Sequence, residues 1–245
     1  MTFSILAYDA ETGRFGGGAA TGSLCVGGWV LRGDLASGLS ASQGTSPSTV
    51  WGEGVLAHMR KGLSAPDAVA AMTDPDPGRA YRQLAAIDPT GATAAFTGAE
   101  SVPAAGHRTG PDVIVAGNML ADDSVLDAIL DGFLSARGPF NQRILDALSA
   151  GDSAGSDSRG LMSAAMLVIG PDVPPLTLRV DLSDTPLDDL RALHLRATTG
   201  AYSEWTRLVP TIQTPHRAPT PADIDRLSAP ADPEDDIPTP FPETE

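Results

Sequence analysis

The sequence predicts an α+β fold in which two sheets pack face to face and carry helices on their outer sides. Strand-like runs come in clusters that alternate with pairs of amphipathic helices, whereas a regular βαβ sheet alternates them singly. In addition, 245 residues at 42% hydrophobic supply enough apolar side chain for a substantial core without disulfide or metal staples.

The first apolar runs, 3–8 and 14–20, flank DAETG, whose Asp, Thr and Gly supply turn chemistry, so they read as a hairpin. Gly16, Gly17 and Gly18 are no phosphate loop, because no helix is expected after them and no lysine stands where a P-loop needs one. They are read as places where the strand lies close to another backbone. Runs near 25–31 and 35–42 continue the sheet. From Val50 the period changes: Trp51, Val55, Leu56, Met59 and Leu63 share a helical face, closed by Gly62 and Ser64. Ser64 with Asp67 starts a second helix in the manner of a capping box. RQLAAIDPTGATAAFTG is a hairpin about DPTG, and DVIVAGNML a further strand.

Two amphipathic helices follow, carrying Val125, Leu126, Ile129, Leu130 and Phe133, then Ile144, Leu145 and Leu148 before a terminating Gly151. LMSAAMLVI and LTLRVDL return to strand. TPLDDLRALHLRA is a helix with Thr185 as cap and Pro186 at its first position.

Sixteen basic against thirty-one acidic residues give a net charge of -15, which repels phosphate backbones and argues against nucleic acid as a partner. No run approaches the roughly 18 apolar residues of a membrane span. The amino terminus lacks a basic n-region and is interrupted by Asp9 and Glu11, so a cytoplasmic location is expected. Cys25 is the single cysteine and reads as a small apolar side chain. His58 and His194 have no second histidine three or four residues away, so neither a metal nor a cofactor is expected. The acidic, proline-rich segment 216–245 forms a tail to a domain spanning 1–215. Such a tail buries little by itself; the expectation is that a neighbouring subunit holds it, making the chain a homo-oligomer.

Thr2 stands at the mouth of the first strand. If Met1 is trimmed, Thr2 carries both a hydroxyl and a free α-amine, a nucleophile with its own base. An unperturbed α-amine has a pKa of about 7.7 to 8.0, suited to proton transfer near neutrality, and no distant histidine is needed. Two sheets between helices with Thr2 opening the first strand is the layout of the N-terminal-nucleophile hydrolases, a four-layer αββα sandwich.

The motifs MTFSILAYD, DPGRAYRQ, AAFTG, AGHRTG, GNML and SDSRGLMSAAMLV, between Thr2 and about Leu195, also resemble those of the domain of unknown function 1028, a bacterial and archaeal family grouped with N-terminal-nucleophile folds. The resemblance implies that fold and no established substrate. Met162 and Ala116 stand where members tend to carry glutamine, and Gly22 where a basic residue is common. The motif residues kept are Thr2, His107, Arg108, Asn118, Asp157, Arg159 and Ser163.

The expected function is that of an amidohydrolase acting on a small amide or peptide-like substrate, with Thr2 as nucleophile; the alternative is a binding or scaffold protein that keeps the fold without the chemistry. Asn118 either donates to an oxyanion or caps a turn, and the backbone around Gly44 competes as oxyanion donor. His107 and Arg108, in a Gly-flanked loop, either contact substrate or hold the turn. Arg159 either forks onto a substrate carboxylate or pairs with Asp157. Ser163 completes the substrate-binding candidates.

Overall fold

The computed structural model describes residues 2–155 and 160–228. In chain order its elements are β1 (Thr2–Asp9), β2 (Arg14–Thr21), α1 (Val26–Trp29), β3 (Leu31–Asp34), β4 (Gly38–Gly44), α2 (Thr49–Arg60), α3 (Ala65–Thr73), β5 (Arg82–Ile87), β6 (Thr93–Thr97), β7 (Gly106–Gly110), β8 (Val113–Asn118), α4 (Ser124–Ser135), α5 (Phe140–Ser153), β9 (Ser163–Ile169), β10 (Leu176–Val180), α6 (Pro186–Thr198), α7 (Gly200–Thr206) and α8 (Pro221–Ser228). The strands form two antiparallel sheets, one ordered β10-β9-β2-β1-β8-β7 and the other β3-β4-β5-β6.

Side chains alternate across β1, and the alternation sorts the core. Phe3, Ile5 and Ala7 join Val115, Leu126, Ile129, Ile144 and Leu148 in a cluster with α4 and α5. Leu6 points the other way and meets Leu39, Ala41, Ala85 and Ile87 of the second sheet. A third cluster, with Trp51, Val55, Met59 and Val69, covers Leu84 and Ala86 with α2 and α3. Thr2 and Ser4 share the parity of Leu6, so they face the second sheet.

The hairpins, the strand through Asn118 and the helices containing Val55, Ile129, Ile144 and Leu190 fall where their patterns place them. Ser64 caps α3 as expected: its hydroxyl oxygen accepts from the Asp67 N–H at 3.3 Å while its proton goes to the Asp67 carboxylate at 2.7 Å.

Other expectations are corrected. The apolar run 25–31 is not a strand but chiefly the helical turn α1, entered through Cys25 at φ 61° and pressed so closely on β9 that a Cβ at Gly27 would lie 2.7 Å from that of Ala165. Gly16 and Gly18 make room for helix side chains rather than backbone: a Cβ there would meet Ile144 at 2.2 and 2.9 Å. Gly151 does not end α5, which runs on to Ser153; it allows close contact with Ile129, 2.5 Å from where its Cβ would stand. Thr185 occupies the N-cap position of α6 without a side-chain cap bond, and its own N–H is received by the Ser183 hydroxyl at 2.9 Å.

Two buried polar groups carry expectations. Asp88, 4% exposed, accepts from the N–H groups of Ala65, Thr90 and Ala92 and from the Thr90 hydroxyl, joining the β5–β6 turn to the start of α3. Burial disfavours its charge, but these donors outweigh burial and hold its pKa below 3.8. A carboxylate depressed in the folded state stabilises fully above its unfolded pKa, about 3.9, and loses that contribution as pH falls through the lower folded value. Asp88→Asn should therefore cost about 1–3 kcal/mol at pH 7 and progressively less below pH 4, measured by urea unfolding at several pH values. Ser4, by contrast, buries a hydroxyl with no hydrogen-bond partner. Ser4→Ala is expected to leave stability unchanged or raise it by up to about 1 kcal/mol, and a loss in thermal unfolding would contradict that.

Candidate functional site

The antiparallel register aligns the ends of four strands. Thr2 lies opposite Asn118 on one side and Thr21 on the other, and Thr21 lies opposite Ser163. Directly opposed residues share a face, so a row of short polar side chains crosses the six-stranded sheet. Within it the Thr2 and Thr21 hydroxyls are 3.0 Å apart.

The second sheet meets this row with two buried glutamines. Gln83 of β5 donates its amide N–H groups to the Thr97 hydroxyl at 2.9 Å and to the carbonyls of Gly106 and Gly117 at 3.0 and 2.9 Å. Three acceptors around one NH2 group determine which way this amide faces. Its Oε1 consequently receives Gln43 Nε2 at 2.7 Å and Asn118 Nδ2 at 3.3 Å. Gln43 Nε2 also lies 3.4 Å from the Thr2 carbonyl oxygen. Gln83 thus ties β5 to β7 and β8 and orients both amides beneath Thr2. With Nε2 so engaged, Gln43 Oε1 is left buried and unpartnered.

Above this floor opens a cleft of about 560 Å³, lined by Thr2, Thr21, Gln43, Gly44 and Asn118 and, on its apolar side, by Leu24, Val26, Trp29, Val30, Pro47 and Met119. No charged side chain is among the described residues that line it. The backbone at its rim is strained: Met119, directly after Asn118, has φ 58°, and Cys25, beside Leu24, has φ 61°. Gly44 has φ 126°, and a Cβ there would lie 2.8 Å from the Tyr81 carbonyl oxygen, so glycine is required where β4 ends at the cleft.

The expected site residues separate into three groups. Thr2 and Asn118 converge on the cleft, with Gly44 facing them from the second sheet. One N–H of Asn118 is taken by Gln83, leaving its second for an incoming oxygen. Ser163, His107 and Arg108 do not line the cleft. Ser163 is fully buried, donates to the Ser23 carbonyl at 2.7 Å and accepts from the Val26 N–H at 3.1 Å; it anchors the start of α1, which forms the apolar wall. His107 and Arg108 are on strand β7, not in a loop. Arg108 turns to the helix side and pairs with Asp127 of α4 at 2.6 Å. His107 alternates to the other face, exposed; partial desolvation and then the Arg108 charge lower its pKa below 6.5. Asp157 and Arg159 lie outside the described residues.

Thr21, Gln43 and Gln83 were missed by sequence reasoning. Their one local signal is a polar side chain in a strand that is otherwise apolar and small, as in ASQG and RQLAAI.

A second cleft, of about 290 Å³, lies at the opposite end of β2, between Arg14, Asp172 and residues 197–217. Arg14 is committed there to Asp172 through bonds of 3.0 and 2.5 Å, and Arg207 to Glu204. Among the described residues no group of three or more metal-ligating side chains occurs, and no helix is long and apolar enough to cross a membrane.

Comparison with curated proteins gives no match. Among solved structures, the crystal structure of protein SPO2555 from Silicibacter pomeroyi, itself described by the DUF1028 family model, shares 54% sequence identity and superposes with a TM-score of 0.86, over 89% of this chain and 96% of that one. The DUF1028 model matches residues 2–190, a span that begins at Thr2 and takes in both sheets and every described residue of the cleft, and the chain belongs to this family of unknown function.

Proposed function

We propose that the chain is an amidohydrolase of the N-terminal-nucleophile type, with the four-layer αββα arrangement of that class, and that Thr2 is its nucleophile. The observation that carries this reading is the place of the Thr2 hydroxyl, 3.0 Å from that of Thr21, at the end of a central strand on the floor of a cleft. No carboxylate or imidazole is among the described cleft residues. The base in this proposal is the α-amine that Thr2 gains when Met1 is removed.

In this reaction the Thr2 Oγ1 attacks an amide carbonyl carbon while its proton passes to the α-amine. The C–N bond breaks as that proton goes to the leaving nitrogen, and the acyl group is left as an ester on Thr2. Water then attacks the ester, gives a proton to the same amine, and releases a carboxylic acid with Thr2 regenerated. The second N–H of Asn118 and the backbone at Gly44 are the candidate donors to the oxyanion of each tetrahedral intermediate.

Intact mass of untagged protein shows whether Met1 is lost. Turnover of primary amides by the trimmed chain, compared with a form carrying a non-cleavable residue ahead of Thr2, then tests the base. Activity is expected only in the trimmed form; equal activity in both would sink the assignment. Full retention of Met1 in the native host, with ligand binding preserved, would favour the binding protein.

A further inference from the structure

We propose that the acyl side of the substrate is an uncharged apolar group, aliphatic or aromatic, of medium length. This rests on the reading of Thr2 as nucleophile for its chemistry but not for its binding. The cleft wall is graded. Val26 and Val30 are 1% and 4% exposed at its base, while Leu24 and Trp29 stand at its rim with half their surface in water. Apolar surface then continues outward. The Cys25 N–H donates to the Asp181 carbonyl at 3.1 Å, tying the backbone after Leu24 to the backbone before Leu182, which is 66% exposed. Met162 donates its N–H to the Thr21 carbonyl at 2.8 Å and accepts from Ser183 N–H at 2.9 Å, which holds it between the polar row and Leu182.

Leu24, Trp29, Met162 and Leu182 are thus exposed apolar side chains near the Thr2 end of the sheet, with Arg32 bonded to the Trp29 carbonyl and Arg179 paired with Asp181 beside them. Exposed apolar groups gathered in this way mark a surface that something covers. A second copy would cover the outer part, but a flat contact leaves Val26, Val30 and the cleft unfilled. An acyl chain with its carbonyl at Thr2 and its tail along Val30, Trp29 and Leu24 covers both. Val26, Val30, Trp29 and Leu24 offer no countercharge, so a charged tail laid along them would be desolvated without a partner.

Calorimetric titration of the Thr2→Ala chain with acetamide, butanamide, hexanamide and octanamide tests this without turnover. Binding should tighten about threefold for each methylene added up to hexanamide, in keeping with burial of apolar surface. Succinamate and 4-aminobutanamide should bind at least about tenfold more weakly than butanamide, as expected for charge buried unpaired. Trp29→Ala and Leu24→Asp should flatten the series, and Trp29→Phe should restore most of it. A flat series in the parent chain, or tighter binding of succinamate, overturns the proposal. So does a Trp29→Ala chain that changes from dimer to monomer in sedimentation while the series stays intact, which assigns the surface to a second copy. An intact series with no amide hydrolysed by the trimmed wild type sinks the nucleophile and leaves this proposal standing; hydrolysis with a flat series does the reverse.

Discussion

Thr2→Ala is expected to lower amide turnover by about 10⁴-fold or more, the scale seen when a covalent nucleophile is removed, while folding is retained. The two halves of that expectation have separate causes. Thr2 is only partly buried and its hydroxyl bonds that of Thr21 at 3.0 Å, so losing it should alter stability by less than about 1 kcal/mol. The reaction, however, has no substitute for it. Thr21 lies within reach of the same cleft, yet its amine is bound in the peptide chain and cannot take the proton. Thr2→Ser keeps hydroxyl and amine in place and should stay within about tenfold of the parent, since only a methyl group that orients the hydroxyl is lost. With the α-amine as base, kcat/KM should climb with pH, reach half its maximum in the ordinary range for that group, about 7.7 to 8.0, and level off about one unit above it. Steady-state kinetics on the trimmed chain, with urea unfolding beside it, separates these outcomes. An alanine variant that turns over substrate at the parent rate would remove Thr2 from the chemistry.

The place of Thr2 was legible because it is local. A polar residue at the first position of an apolar strand can be read from MTFSILAYD without knowing what lies beside it. The hairpin about Asp88 and Gly91 and the helices with Val55 and Ile129 were legible for the same reason, since period and turn chemistry act over a few residues. The floor of the cleft was not, because it is made by partners far apart in the chain. Gln83 meets Gln43 forty residues away and Asn118 thirty-five away, and no spacing rule joins them. His107 and Arg108 mislead in the opposite way. They are neighbours in sequence, but alternation along β7 sends them to opposite faces of the sheet, where Arg108 is held by Asp127. The run 25–31 has the composition of a strand, and only its tertiary setting makes it helical: Ser163, from β9, accepts the Val26 N–H, and Gly27 lies hard against the same strand.

Gln83→Leu is expected to destabilise the fold by about 3 kcal/mol or more and to disorder the cleft as well. Leucine fills a similar volume, so the loss is one of polarity rather than packing. Gln83 is fully buried, and its removal strands five groups: the carbonyls of Gly106 and Gly117, the Thr97 hydroxyl, and the amide N–H groups of Gln43 and Asn118. Each unpaired buried group costs about 1–3 kcal/mol, reduced where a water or a shift of backbone can serve it. Gln83→Glu should be damaging for a different reason, because a carboxylate would face two carbonyl oxygens with no proton to offer; it is tolerated only when protonated, so its stability should rise as pH falls toward 5. Chemical unfolding of both variants against the parent, at pH 5 and pH 8, reads the two effects separately. The leucine variant should lose stability similarly at both, the glutamate variant more at pH 8. A leucine variant within about 0.5 kcal/mol of the parent would show that the five groups find other partners, and that neither Gln43 nor Asn118 owes its orientation beneath Thr2 to this residue.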